Sequence, residues 1–421
     1  MSHYKPYPKY KDSGVEWIGE VPEGWEVKRL RHISAFKNSS VDKKTYEGQA
    51  AVGLCNYTDV YYNEFVTKDL PFMQATASPT EVEQFSLQKG DVIITKDSED
   101  PSDIGIPALV AEDVPGVVCG YHLTQIRAGD LNTARLIHRT MQSHVTQAYF
   151  FVEAPGITRY GLGQDTIGSV TTCLPPLNHR CSVADWIDRE TARIDAIIAK
   201  KTRFIELLKE KRSALITHAV TKGINPNVKM KDSGVEWIGE VPEHWAVMQL
   251  KRAASICNGQ DYKDIEDADG AYPVIGSGGE FARASSFIFN GESVLLGRKG
   301  TIDKPLYING PFWTVDTMFY TRIATDAFPK FVYYSALTIP FSLYSTNTAL
   351  PSMTGEALSS HIIAAPKLTE QRDIANRLDR GTARLDLLAL KTKHSIDLLK
   401  ERRSALISAA VTGQIDLREF A

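Results

Sequence analysis

The sequence predicts an α+β fold: two β-rich domains separated by two long helices packed as an antiparallel coiled coil, built on an internal pseudo-twofold repeat. Three observations predict it. The phrase KDSGVEWIGEVPE stands at residues 11–23 and returns unchanged at 231–243. A helical stretch beginning at Asp188 returns at Asp379, an offset of 191 against 220 for the phrase. Between these repeats lie two segments that share little text but the same order of turns and strand-like runs.

Bulk properties set the frame. At 421 residues the chain exceeds one core, and two or three domains are expected. Hydrophobic content of 43% and charged content of 24% are ordinary for a globular protein. No apolar run approaches the ~18–20 residues of a membrane span. The first residues are polar and lack the apolar stretch of a leader, so they read as a flexible arm. The five cysteines are odd in number and include no Cys-x-x-Cys pair, which speaks against a zinc site and a disulfide framework. A reducing, cytoplasmic location is the corresponding expectation.

Taken in order, residues 1–25 form an arm and a first anchor segment, and 26–174 a first β-rich domain. Residues 175–228 form a central helical region and 229–245 the repeated anchor. Residues 246–365 form a second β-rich domain and 366–421 a terminal helical region. The helices rest on good helix formers and on an apolar stripe. Ile194, Ile197, Phe204, Ile205, Leu208 and Leu215 recur at spacings of three and four, as do Leu385, Leu388, Ser395, Ile396, Leu399 and Leu406. A helix of ~35 residues, ~50 Å long, outruns a single domain, so two such stripes cover each other. Thr191 and Thr382 read as early-turn residues, Gly223 and Gly413 as stops. Each helix follows a Pro-x-Leu step, at 175–177 and 366–368.

The two variable segments align by punctuation. GDVIITKDS from Gly90 matches GESVLLGRKGT from Gly291: a Gly-acid turn, a buried strand, then a polar turn carrying a base. Strand-like GYHLTQIRA and VDTMFYTRI follow, then a short helical run and a region rich in Gly, Ser and Thr. Binding groups usually sit on such loops. The candidates for contact with DNA are Asn56, Tyr57, Lys96, His122, Arg159, Tyr160, Gln164, Arg298, Lys299, Thr346, Asn347 and Ser352. Their amides, cations and hydroxyls suit base edges and phosphates. Arg298 and Lys299 stand out, because a glycine-flanked turn lets backbone approach a phosphate.

No catalytic constellation emerges. There is no phosphate-binding Gly-x-x-x-x-Gly-Lys-Ser/Thr, and the Asp/Asn-Pro-Pro-aromatic tetrapeptide of amino-methyltransferases is absent. The acidic stretch KDSEDPSD, residues 96–103, reads as a solvated loop rather than a metal site. No metal ligands and no catalytic residues are expected on this chain.

The twice-used DSGVEWIGEVPE phrase, the Pro-x-Leu step and the twice-used LLKE-RSALI helix resemble the specificity subunit of type I restriction–modification enzymes, over residues 9–416. The resemblance implies two target-recognition domains, 26–174 and 246–365, each reading half of a split, asymmetric sequence in double-stranded DNA. It implies docking onto two modification subunits, which methylate adenine with S-adenosylmethionine, and onto restriction subunits that translocate DNA with ATP and Mg. Those cofactors belong to the partners, and none is expected on this chain. The repeated surfaces would face the partners through Trp17, Trp237, Arg193, Arg212, Arg384 and Arg403; packing into a core explains the two tryptophans equally well. Two rival readings stand beside this one. One is a helical scaffold or decoy copy without a DNA role. The other is a nuclease or methyltransferase in its own right, which the missing motifs oppose. Charge also qualifies the DNA reading. Net charge is −3, and residues 41–130 hold 15 acidic and 6 basic residues, against 5 and 9 in 188–222. Phosphate attraction is therefore expected mainly from the helices and the partners.

Overall fold

The computed structural model describes residues 4–346 and 351–418. It divides into two compact units, Met1–Lys200 with His394–Ala421, and Lys201–Lys393.

In the first unit the repeated phrase folds as a hairpin of β1 (Tyr10–Asp12) and β2 (Glu20–Pro22), with Tyr10 opposite Pro22. Its loop ties itself: the Gly14 N–H donates to Asp12 Oδ1 at 2.9 Å and the Ser13 N–H to the Gly19 carbonyl at 2.9 Å. Val21 is sealed inside, while Trp17 on the loop is 60% exposed. The variable segment opens with β3 (Glu26–Arg29), β4 (Ser34–Asn38), β5 (Ala50–Cys55), α1 (Tyr57–Tyr61), β6 (Phe65–Val66) and β7 (Met73–Ala77). It continues through α2 (Pro79–Phe85), β8 (Val92–Thr95), β9 (Asp97–Ser98), β10 (Pro107–Val110), β11 (Val117–Cys119) and β12 (Leu123–Ala128). It closes with α3 (Leu131–Met141), α4 (His144–Glu153), β13 (Tyr160–Gly161), α5 (Gln164–Ser169) and β14 (Thr171–Leu174).

A five-stranded sheet runs β4-β12-β8-β10-β6, beside a three-stranded sheet β11-β5-β7. The run VIIT of β8 is buried at every position, as a central strand covered on both faces requires. β14 returns to pair antiparallel with β3, Leu174 opposite Glu26, so the segment leaves and re-enters at one place.

There it meets α6 (Leu177–Lys222), 46 residues long. The helix begins before Asp188, directly after Pro176, where a missing N–H has no helical partner to lose. Thr191 is therefore an interior residue, its hydroxyl donating to the Ile187 carbonyl at 2.8 Å. This corrects the early-turn reading.

The second unit repeats the plan. The hairpin of β15 (Met230–Asp232) and β16 (Glu240–Pro242) keeps the register, Met230 opposite Pro242. Then come β17 (Ala246–Gln249), β18 (Ala254–Asn258), β19 (Tyr272–Gly276), β20 (Gly279–Ala284), β21 (Phe289–Gly297), β22 (Leu306–Thr314) and β23 (Met318–Ile323). α7 (Pro329–Ala336), α8 (Gly355–Ser360) and β24 (Ile362–Ala365) complete the segment. One six-stranded sheet runs β18-β23-β21-β22-β19-β20, and β24 returns to β17. α9 (Leu368–Val411), 44 residues, follows, and Thr382 again bonds back inside it, to the Leu378 carbonyl at 2.8 Å.

The two helices pack on each other within each unit. In the first, Ile194 joins Leu406, Ile407 and Ala410 around Trp186 and Trp25. In the second, Ile216, Ala219 and Val220 meet Ile374, Ala375 and Leu378 beneath Trp245. Asp195 pairs with Arg403, and Arg212 with Asp386. A forward step along α6 is an equal step back along α9, so the pair is antiparallel. Gly413, at φ +72°, follows the end of α9, and a Cβ there would meet Pro22 at 2.3 Å, so both conformation and space require glycine. Among the described residues no helix is long and apolar enough to cross a membrane.

Candidate nucleic-acid interface

In the first unit the site grows from the end of β8. The Lys96 N–H donates to the His122 carbonyl at 3.0 Å, tying the strand end to the turn before β12. The Leu162 N–H donates back to the Lys96 carbonyl at 2.7 Å, and Tyr160 pairs opposite Ser98. These backbone bonds bring Lys96, His122, Arg159 and Tyr160 together from three stretches of sequence. At their centre is Asp97, 3.0 Å from His122 Nδ1 on one oxygen and accepting from Arg159 Nη2 at 3.0 Å on the other. Lys96 Nζ lies 4.6 Å above the Tyr121 ring.

Opposite stands α1, where Tyr57 and Tyr61 stack one turn apart, centroids 5.4 Å and planes 18° from each other. Tyr61 donates to Asp103 at 2.7 Å, and that bond pushes its phenol up to about 12. With Asp97, His122 and Arg159 these residues enclose an open cavity of about 500 Å³. Asn56 caps α1, its N–H donating to Asp59 at 2.7 Å, and Gln164 is exposed at the start of α5. Neither lines that cavity.

Sequence reasoning missed Asp97, Tyr61 and Asp103. The four-residue spacing of Tyr57 and Tyr61 was a usable signal. Asp97 and Asp103 were hidden in a stretch read as a solvated loop. Among the described residues no group of three or more His, Cys, Asp or Glu could hold a metal ion.

The second unit builds the same scaffold with other side chains. The Arg298 N–H donates to the Thr317 carbonyl at 2.8 Å, tying the end of β21 to the turn before β23, as Lys96 does to His122. The Met353 N–H donates to the Arg298 carbonyl at 2.9 Å, and the Thr346 N–H to the Ser352 carbonyl at 3.1 Å. Arg298, Lys299, Thr346 and Ser352 thus converge, the last two with hydroxyls 3.1 Å apart. Asn347 lies outside the described residues. The Arg298 guanidinium donates to the Asp316 carbonyl at 3.2 Å and rests 6.0 Å from the Phe319 ring centre, while Lys299 is exposed. A half-held guanidinium beside an exposed ammonium can meet phosphates or a guanine edge.

A second pair of sites sits on the repeats. Trp17 stacks on Tyr149, and Trp237 on His361, each at 6.1 Å. Burial pushes the His361 imidazole down to about 4, and its Nδ1 is 2.9 Å from the Tyr344 hydroxyl. Trp17 edges a groove of about 520 Å³ floored by Ser408 and Thr412. Trp237 edges one of about 50 Å³ over the repeat-equivalent Thr217 and Thr221. Apolar helix residues remain exposed as well: Ile197 and Leu398 in the first unit, the equivalent Leu388 and Leu207 in the second. Arg193 and Arg384 face solvent. Arg212 and Arg403 are engaged by Asp386 and Asp195, and Arg403 also reaches Glu64.

Comparison with known proteins agrees with this architecture. Residues 242–397 match the family model described as type I restriction modification DNA specificity domain. The chain is 21% identical to the putative type I restriction enzyme MjaX specificity subunit of Methanocaldococcus jannaschii, covering 95% of this chain and 96% of that protein. It is 19% identical to the EcoKI specificity subunit of Escherichia coli, over 94% and 90% of the two chains. Among solved structures, a chain from a study of complex assembly and conformational transition in a type I R-M system superposes with TM-score 0.72 at 16% identity, covering 94% and 99%. The HsdS subunit of Thermoanaerobacter tengcongensis superposes at 0.52 and 16%, covering 94% and 98%. At these identities the solved structures share the fold.

Proposed function

We propose, from the premise that this chain belongs to the specificity subunits of type I restriction–modification systems, that it reads a bipartite, asymmetric DNA target, one block with each β-rich domain. One observation carries the reading: a single backbone scaffold, strand end tied to neighbouring turn, is built twice and dressed with different side chains, Lys96, His122 and Arg159 against Arg298, Lys299 and Ser352. Equal scaffolds with unequal tips suit two readers of unequal sequences.

The repeats support docking of two copies of one partner, the adenine-methylating modification subunit. Each unit offers the same exposed apolar set, Trp17, Ile197 and Leu398 or Trp237, Leu388 and Leu207. Arg193, which reaches Glu190 at 3.9 Å, and Arg384 flank it as exposed cations, whereas Arg212 and Arg403 serve the surface by holding the helix pair together. Restriction subunits join the same complex. S-adenosylmethionine, ATP and Mg act on those partners, and this chain contributes recognition without catalysis.

The test is double substitution, Arg298→Ala with Lys299→Ala, in the chain co-expressed with its modification subunit. Each lost base contact weakens discrimination by ~1–3 kcal/mol. Methylation should relax within one block of the motif and leave the other block intact. A helical scaffold without a DNA role shows no response, and relaxation of both blocks contradicts a two-reader design.

A further inference from the structure

Each β-rich domain is pinned to its long helix at two points, and the pinning residues are equivalents in the helical repeat. In the first unit, Arg180 of α6 donates to Thr133 in the first turn of α3 at 2.9 Å. Two turns further on, Asp188 receives the rest of α3. One of its oxygens accepts from Arg135 at 2.9 and 2.6 Å, the other from Arg139 at 2.9 and 2.7 Å. In the second unit, Gln371 of α9 stands where Arg180 stands in α6, and its Oε1 accepts from the Phe328 N–H, which caps α7, at 2.8 Å. Asp379, the counterpart of Asp188, accepts from Lys330 at 2.5 Å and from the Tyr334 hydroxyl at 2.7 Å. Lys330 and Tyr334 are four residues apart, as are Arg135 and Arg139, so each aspartate grips one face of one helix across a single turn.

We infer that Asp188 and Asp379 are positioning residues that set the angle at which each reading domain is held on its helix, and through that angle the gap between the two blocks of the DNA target. One contact between two helices is a pivot; two contacts, eight residues apart along the long helix, remove the rotation. In each grip one donor is buried, Arg139 at 2% and Tyr334 at 3% exposed, while the aspartate itself is about one-third exposed, Asp188 at 32% and Asp379 at 34%. The donors differ completely between the units, two guanidiniums against an ammonium and a phenol, while the aspartate is the same. That pattern fits an acceptor supplied by the scaffold and donors supplied by whichever domain is mounted on it. A domain grafted onto this scaffold therefore needs two donors one turn apart on its docking helix, whatever bases it reads.

The inference rests on the reading of this chain as a DNA-specificity subunit, and its test separates the two. Wild type, Asp379→Ala and Tyr334→Phe are co-expressed with the modification subunit, and methylated adenines are mapped across the genome. Wild type should yield a split motif with one gap length; a wild type without any motif overturns the DNA reading itself. In both variants the letters of the two blocks should persist. Sites with the gap one base pair longer or shorter should become methylated, to about a tenth of the normal-gap level, the upper end of an ordinary minor-conformer population. A merely structural role lowers methylation everywhere without shifting the gap. A single unchanged gap in both variants, or altered letters at a fixed gap, overturns the inference. Tyr334→Phe removes one hydroxyl from a packed ring, so it keeps the test decisive if Asp379→Ala does not assemble.

Discussion

Trp17 and Trp237 sit in identical phrases, yet one stacks on Tyr149 and the other on His361. That difference has a consequence in pH. His361 is 3% exposed and its imidazole is held down at about 4 by burial, below the ordinary histidine value near 6.5. The unfolded chain therefore takes up the proton first as pH falls. The stability gained by keeping His361 neutral is complete above about pH 6.5 and is lost on the way down to pH 4, up to roughly 3 kcal/mol. His361→Gln should flatten the fall in urea resistance across that window; an unchanged slope contradicts the burial argument. Residue by residue, the sequence offered candidates for DNA contact but not which of them would meet each other. Lys96, His122 and Arg159 are gathered by backbone bonds among separate loops, and Asp97, the carboxylate that holds two of them, carries no periodic signal of its own.

The helices were the most legible elements, because a stripe at spacings of three and four marks a helix whatever surrounds it; the expected mutual cover is incomplete, since Ile197, Phe204 and Leu388 of the stripe stay exposed. The first eleven residues of α6 were not legible, since Val183, Ala184, Trp186 and Ile187 pack against the hairpin and the β-rich domain as well as against α9. The two interhelix ion pairs are the same pair of repeat positions in different surroundings. Arg403 is 17% exposed and bridges Asp195 and Glu64, whereas Arg212 is 31% exposed and meets the half-exposed Asp386. Removing Arg403 takes a cation from the half-exposed Asp195 and from Glu64, which keeps Arg139, and should cost more than removing Arg212, about 1–2 kcal/mol. Removing Arg212 costs at most about 1 kcal/mol, as for exposed pairs. Urea unfolding of Arg403→Ala and Arg212→Ala measures both; equal losses would show that the surroundings do not matter.

For the whole molecule, the repeat was legible in the sequence because equivalent surfaces must keep equivalent text. Sheet order was not, and neither was the pairing of first with last strand in each segment, β3 with β14 and β17 with β24, which joins residues more than a hundred positions apart. The charge balance also acts at this scale. The candidate site of the first unit carries Asp97, Glu99, Asp100 and Asp103 around Arg159 and Lys43, so under the proposed function phosphate attraction is expected largely from elsewhere. The isolated chain should bind DNA weakly, with affinity falling steeply as salt rises; tight specific binding by the isolated chain at physiological salt contradicts this. The proposed function amounts to two readers on one scaffold. Its most direct test is to map adenine methylation in cells expressing this chain with its modification subunit, before and after replacing residues 246–365 with the corresponding segment of a relative. Two readers on one scaffold should give a split motif of two short blocks around a fixed gap, with one block replaced by the exchange and the other unchanged. A continuous motif, or an exchange that alters both blocks at once, would contradict it.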